Sequence, residues 1–125
     1  MARGKGLLDS SKASYYDGTN CVGDGLPGCA MTDLIFVGTK PGGNGKWGHA
    51  DLAGNVWEWN LDWYATYAAT CSDCANLTNA SGRVGRGGGF DGNASYLASA
   101  YRFDNYPYPE YRYYDLGSRC ARSAP

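Results

Sequence analysis

The clearest pattern of apolar and polar positions lies in residues 48–60, near the middle of the chain. From Asp51 onward, apolar or conformationally special residues fall at about every second position, which is typical of extended chain and not of a helix. Trp57 and Trp59 would then share one face of a strand, with Glu58 on the opposite face. The pattern predicts extended structure over residues 51–64.

Glu58 needs a partner in this setting, because a carboxylate among large apolar side chains loses hydration. A calcium ion is one candidate, since it takes carboxylates together with backbone carbonyls from an irregular, glycine-containing loop. An arginine is the other candidate, and several follow Glu58 in the chain. Spacing alone does not choose between the ion and the arginine.

The remaining pattern is one of short elements separated by turns. Residues 34–37, the one compact aliphatic run, are predicted to form a strand, and residues 83–90 a strand that runs into a glycine turn. Residues 41–45 predict a long turn, and residues 65–81 a loop. Residues 1–14 are polar and predict a flexible leader.

Composition supports one loop-rich domain. The chain has 125 residues, of which 19 are glycine and 11 are tyrosine, and its net charge is −1. No stripe of lysine and arginine is present, so a nucleic-acid partner is not expected. No segment has the apolar length that spans a membrane, and the N-terminal residues lack the apolar core of a signal peptide.

The five cysteines predict two local disulfides. Cys21 and Cys29 bracket a glycine- and proline-rich loop that has little else to order it. Cys71 and Cys74 form a CxxC without the second pair that zinc would need, so a tight loop disulfide is the simpler interpretation. This cysteine usage suggests the cell envelope or the extracellular space. Cys120 is left over.

Several short motifs occur together in a fixed order. They are Asp51-Leu52-Ala53-Gly54-Asn55-Val56-Trp57-Glu58-Trp59, Asp62-Trp63-Tyr64, Arg83-Val84 with Arg86-Gly87-Gly88, Tyr101-Arg102, and Gly117-Ser118-Arg119-Cys120-Ala121-Arg122. In this order they resemble the C-terminal half of the formylglycine-generating enzyme (sulfatase-modifying factor) family, over about residues 32–125.

The resemblance implies an α+β, C-type-lectin-like fold, loop-rich with short antiparallel strands. It implies a single domain over residues 15–125 that lacks the N-terminal half of the family, because no segment matches the Gly-Arg-Leu-Pro-Thr-Glu-Ala-Glu-Trp run found there. A chain of this kind could also be a fragment or an engineered scaffold. In the family, the residue that matches Cys120 pairs with a cysteine of that missing half, so we expect Cys120 to be a buried, unpaired thiol.

The resemblance also bears on catalysis. Catalytic members hold copper(I) with two cysteines five residues apart, and these positions fall on Gly92 and Leu97. Neither side chain offers the sulfur ligand that copper(I) prefers, so copper is not expected. The single histidine, His49, is expected to have a packing or hydrogen-bonding role.

The resemblance does imply a calcium site. The family holds one calcium ion around the tryptophan motif with a side-chain oxygen, two backbone carbonyls and a glutamate. The matching residues are Asp51, Gly54, Val56 and Glu58, and the ion would be structural.

The window from Phe90 to Asp115 is rich in Phe, Asp, Gly, Tyr and Asn. In its use of these five residue types, the window resembles the ligand-binding face of the variable proteins of diversity-generating retroelements. Those proteins share the lectin-like fold. Tyrosine gives large, stiff, amphipathic contact area at low entropic cost, as in antibody paratopes. The predicted ligand-binding residues are Phe90, Asp91, Tyr101, Phe103, Asp104, Asn105, Tyr106, Tyr108, Tyr111, Tyr113, Tyr114 and Asp115.

These observations favour a non-catalytic module that binds a protein or a glycan through a tyrosine-rich surface. The alternative is a divergent formylglycine-generating oxidase that acts on a protein cysteine through other ligands.

Overall fold

One small sheet organises the molecule. The computed structural model describes residues 8–67, 70–72, 74–104 and 110–120. In those ranges, β1 (Trp57–Trp63) is the central strand, β2 (Arg83–Arg86) pairs with it on one side, and β3 (Leu116–Ser118) on the other. Three short 3-10 helices, at Met31–Asp33, Pro41–Gly43 and Ala94–Leu97, complete the regular structure, and the described ranges contain no α-helix. None of their helices is long and apolar enough to cross a membrane.

The sheet is mixed, whereas the resemblance implied antiparallel strands only. β1 and β2 are antiparallel, with Glu58 opposite Arg86 and an irregularity between Trp59 and Trp63. β1 and β3 are parallel, with Glu58 opposite Gly117. A parallel pair needs a long connection, and residues 64–115 supply it.

The strand predicted over residues 34–37 is wrong. Phe36 and Val37 are 88% and 80% exposed, and no partner strand lies beside them in the described structure. The backbone N–H of Ile35 donates to the side-chain oxygen of Asn55 at 2.9 Å, and its carbonyl accepts from the amide nitrogen of the same residue at 3.1 Å. The asparagine side chain therefore takes the hydrogen bonds that a strand partner would have made.

Extended structure in the central motif begins later than predicted, at Trp57. Asp51, Gly54 and Asn55 all have positive φ, so the chain before β1 is a tight, irregular loop. Gly54 donates its N–H to the carbonyl of Gly87 at 2.7 Å, which fixes this loop to the glycine turn after β2.

The core lies between the sheet and these loops. Trp57, Val84 and Phe90 are at most 4% exposed. Gly89 passes directly under the indole of Trp57, since a Cβ at Gly89 would lie 3.1 Å from two of its ring atoms. The absence of a side chain at Gly89 therefore permits close packing under a tryptophan.

A second buried layer, here called the N-terminal layer, is formed by residues 13–33. Asp33 is 1% exposed and accepts three backbone N–H groups, from Gly23, Asp24 and Ala30. Ser14 donates its hydroxyl to the carbonyl of Asp33 at 2.7 Å. Ser14 is itself buried, as is the preceding Ala13, although both fall inside the predicted leader; residues 1–7 lie outside the described ranges.

Both predicted disulfides are confirmed. Cys21 pairs with Cys29, with Cα atoms 4.8 Å apart, and Cys71 pairs with Cys74, with Cα atoms 5.9 Å apart. Cys120 is unpaired as expected, but it is exposed and not buried. The reason is its position just past the edge strand β3, where the chain leaves the sheet.

Candidate functional site

Glu58 is paired with an arginine in this structure. The parallel register of β1 and β3 brings Arg119 close to Glu58. The guanidinium contacts both carboxylate oxygens, at 2.6 to 3.1 Å, and donates to the backbone carbonyls of Ala50 at 3.0 Å and Asp51 at 2.7 Å. Hydrogen bonds to Glu58 are the main reason that the pKa of Arg119 is raised.

The predicted calcium ligands include two carboxylates, those of Asp51 and Glu58, that already have hydrogen-bond partners in this structure. The carbonyls of Gly54 and Val56 and the carboxylate of Glu58 are oxygen donors of the kind that calcium takes. However, Arg119 already occupies both oxygens of Glu58, and an oxygen of the Asp51 carboxylate accepts the N–H of Gly38 at 2.6 Å. No cluster of three or more His, Cys, Asp or Glu side chains that could hold a metal occurs in the described ranges. The donor chemistry fits calcium, but an ion would have to share Glu58 with the arginine.

The predicted ligand-binding residues divide into groups with different environments. Tyr101 and Phe103 belong to an aromatic cluster with Trp57 and Tyr96. Phe103 stacks on Trp57 with ring centroids 4.4 Å apart, and Tyr101 lies 4.8 Å from Tyr96 and 6.1 Å from Trp57. These two residues therefore pack against the core side of the sheet, and desolvation raises the pKa of Tyr101.

Tyr111, Tyr113 and Tyr114 form an exposed strip, here called the tyrosine strip. They are 40%, 48% and 54% exposed, and successive rings lie 6.1 Å apart. Asp91 lies beside it, and the negative charge of this carboxylate is the main reason that the pKa of Tyr114 is raised. Rings held against one another lose little further freedom when a ligand packs on them.

Other members of the predicted set lie elsewhere. Phe90 and Asp115 are buried, at 4% and 5% exposure, so these side chains face the interior and not solvent. Asp104 is exposed. Asn105, Tyr106 and Tyr108 lie outside the described residues.

The positions that match the copper ligands carry no sulfur. Gly92 is buried, and its carbonyl accepts the N–H of Tyr16 at 2.9 Å. Leu97 is half-buried and packs toward Gly88, where a Cβ would lie 2.7 Å from one of its methyl groups. Both positions serve packing in this chain.

A cavity of about 530 Å³ was not predicted from the sequence. It lies beside the ends of β1 and β2, and its wall includes Trp63, Arg86, Arg102 and the Cys71–Cys74 disulfide. No local pattern in the sequence indicates this cavity, because its wall is built from strand ends and loops that are distant in the chain.

The relationship of this chain to known proteins is shown by its match to one protein-family model. A family model described as the sulfatase-modifying factor enzyme 1-like domain matches residues 26–124, which is most of the chain. Searches among curated proteins and among solved structures gave no match. The chain that presents the Glu58–Arg119 pair and the tyrosine strip belongs to the sulfatase-modifying factor family.

Proposed function

We propose that this protein is a non-catalytic member of its family that binds a protein or glycan ligand through the tyrosine strip. The observation that carries the proposal is the row of three exposed tyrosines with regular ring contacts beside the carboxylate of Asp91. Exposed aromatic surface of this kind costs free energy in water unless a partner covers it. The two disulfides fit an oxidising compartment, and we infer the cell envelope or the extracellular space.

The same proposal includes the finer relationships that the sequence suggested. We infer a C-type-lectin-like frame and a likeness to variable proteins of diversity-generating retroelements. The loop-rich, mixed sheet and the concentration of tyrosine after β2 support this inference. Packing at Gly92 and Leu97 argues against the oxidase alternative, since neither position offers a thiolate.

The test compares two sets of exposed aromatic side chains. A random peptide library and a glycan array are screened with the wild type and with a Tyr111→Ser, Tyr113→Ser, Tyr114→Ser variant. The control is Phe36→Ser with Trp47→Ser, because these residues are 88% and 79% exposed and lie outside the strip. We expect specific binders for the wild type and the control, and at least tenfold weaker binding for the triple variant.

Equal binding by all three proteins would contradict the proposal, as would the absence of any specific binder. The oxidase alternative is tested in parallel with a cysteine-containing peptide, copper and oxygen, and mass spectrometry. Conversion of the cysteine to an aldehyde would overturn the non-catalytic assignment.

We further propose that calcium binds at the carbonyls of Gly54 and Val56 and the carboxylate of Glu58, with Asp51 as the fourth donor. Its role would be structural, holding the loop before β1. Arg119 competes for the same carboxylate, so removing the guanidinium should strengthen the binding of the ion.

The measurement is thermal melting with calcium and with chelator, for the wild type, Arg119→Met and Glu58→Gln. We expect calcium to raise the melting temperature of the wild type, to raise it further in Arg119→Met, and to have no effect in Glu58→Gln. Unchanged melting in both the wild type and Arg119→Met would show that Glu58 serves the ion pair alone.

A further inference from the structure

The cavity beside β1 and β2 lies away from the tyrosine strip and has a different chemical character. Trp63, Val84, Ala65 and Ala75 give it an apolar wall, and its volume of about 530 Å³ is typical of small-molecule sites. Arg86 and Arg102 also line it. A cavity with apolar walls and two guanidinium groups suits a ligand that carries both an apolar body and a negative charge.

Neither of these arginines makes an ion pair with an acidic group of the described ranges; Glu58, which lies opposite Arg86 in the β1–β2 register, pairs with Arg119. Arg86 donates to the carbonyls of Ser99 and Tyr101, at 2.8 and 3.1 Å, and to the hydroxyl of Tyr67 at 2.8 Å. Arg102 donates to the carbonyl of Ala65 at 2.8 Å. All four acceptors are neutral, and the ion pairs of the described ranges involve other residues.

Asp62 also lies in the cavity wall and lowers the net charge of the described lining residues to +1. Asp62 accepts the backbone N–H of Asn76 at 2.8 Å and makes no ion pair with either arginine. Each guanidinium has five N–H donors, and the hydrogen bonds among the described residues are three for Arg86 and one for Arg102.

Tyr67 holds the two arginines in position. Its ring lies 3.7 Å from the guanidinium carbon of Arg102, and its hydroxyl accepts from Arg86. The ring of Tyr64 contacts Arg102 at 4.8 Å. Stacking orients the planar guanidinium of Arg102, and the hydrogen bond to Tyr67 orients that of Arg86, before a ligand arrives, which lowers the entropic cost of a bidentate contact.

We propose that this cavity binds a small organic carboxylate with an apolar body. The carboxylate would accept hydrogen bonds from Arg86 and Arg102, and the body would pack on Trp63 and Ala75. Charge-assisted hydrogen bonds from arginine to a carboxylate are among the stronger polar contacts in proteins, so the charge should dominate recognition.

The test uses two probes that differ only in charge. Binding of N-acetyl-L-phenylalanine and of N-acetyl-L-phenylalaninamide to the full chain is followed by NMR titration. We expect the acid to bind about tenfold more tightly than the amide, because the amide loses the charge-assisted contacts. We also expect the acid to shift the indole signal of Trp63 and not the ring signals of the tyrosine strip.

Substitutions of charged residues then identify which positive charge the acid contacts. Arg102→Gln is expected to lose about tenfold in affinity for the acid and little for the amide. Lys46→Gln removes the same charge from an exposed loop and should leave both affinities unchanged. Equal affinity for acid and amide in the wild type, no binding of the acid, or shifts confined to the tyrosine strip would each overturn the proposal. The acid–amide comparison needs no variant, so it stands even if Arg102→Gln does not fold.

Discussion

At the scale of single residues, tyrosines that are close in sequence have different roles. Tyr101 packs against Tyr96 and Trp57, whereas Tyr111 lies 40% exposed in the tyrosine strip. Burial disfavours the charged phenolate, and desolvation is the largest cause of the raised pKa of Tyr101.

This difference predicts how alkali destabilises the protein. The pKa of Tyr101 is raised above its ordinary value of 10.0, so the folded state holds this proton more tightly than the unfolded state. The stability that depends on it is present in full below pH 10.0 and is lost as pH rises through the folded pKa. Tyr101→Phe should therefore lose less stability than the wild type between about pH 9 and about pH 11.

The measurement is the free energy of urea unfolding at the two pH values, followed by tryptophan fluorescence. Unfolding at about pH 7 serves as the control, because the phenol of Tyr101 is protonated there in both the folded and the unfolded state. An identical loss in Tyr101→Phe and the wild type would contradict the packing described for Tyr101.

Glu58 shows what a residue-level prediction could and could not reach. Its need for a positive partner followed from its place between two tryptophans. The partner could not be chosen, because Arg119 is 61 positions away and reaches Glu58 only through the pairing of β1 with β3. Local sequence carries no information about that pairing.

At the scale of elements, the loop before β1 depends on Gly54. Its φ is +76°, and the Ser14 carbonyl lies where a side chain on Gly54 would begin. Gly48 has a similar φ of +79°, but no atom lies within 4 Å of the position that its Cβ would take. Substitutions at these two glycines therefore distinguish the cost of backbone strain alone from the cost of strain combined with a steric collision.

We expect Gly48→Ala to lower the free energy of unfolding by about 1 kcal/mol, the cost of a left-handed conformation. Gly54→Ala should cost more than about 3 kcal/mol, or prevent folding, because the methyl group also displaces the chain at Ser14. Urea unfolding of both variants is the measurement. Equal costs would show that the N-terminal layer does not pack on this loop as described.

The elements that sequence predicted well are those whose pattern is local. Tryptophans flanking a polar residue indicated β1, and Arg83-Val84 indicated β2. The strand predicted over residues 34–37 was wrong, because an aliphatic run does not indicate whether a neighbouring strand exists to pair with it. The side chain of Asn55 took the hydrogen bonds of Ile35, and no propensity predicts that contact.

At the scale of the whole molecule, the small core gives the disulfides a large share of the stability. Cys21 is fully buried, so its bridge to Cys29 also fixes the N-terminal layer. Cys71 and Cys74 are both exposed and close a shorter loop.

Replacing Cys21 and Cys29 together by serine should cost about 2.5 kcal/mol from loop closure alone, and more because Cys21 is buried. The corresponding pair of changes at Cys71 and Cys74 should cost less. Urea unfolding of the two variants tests the order, and the opposite order would contradict it. In the native wild type, one thiol, that of Cys120, should react with a thiol reagent, and a second reacting thiol would show that a disulfide is absent.

The topology of the sheet was beyond prediction for a related reason. β3 has three residues, Leu116–Ser118, of which the last two begin a motif in the sequence, with no alternation to indicate a strand. Its parallel direction depends on the course of the whole connection from Trp63 to Leu116. Most residues of the aromatic cluster and of the cavity belong to that connection, so the geometry of both could not be predicted from the sequence either.

The parallel pairing of β1 and β3 has a consequence for how this protein is made. As the chain leaves the ribosome, β1 emerges before both of its partners. β2 can cover one edge once residue 86 has been made, but the other edge stays open until β3 follows. Contacts between distant parts of a chain form slowly, because much of the chain must be ordered first. During that interval the three tryptophans of β1 are exposed to other nascent chains. Efficient production should therefore depend on chaperones that shield this strand until synthesis has passed Ser118.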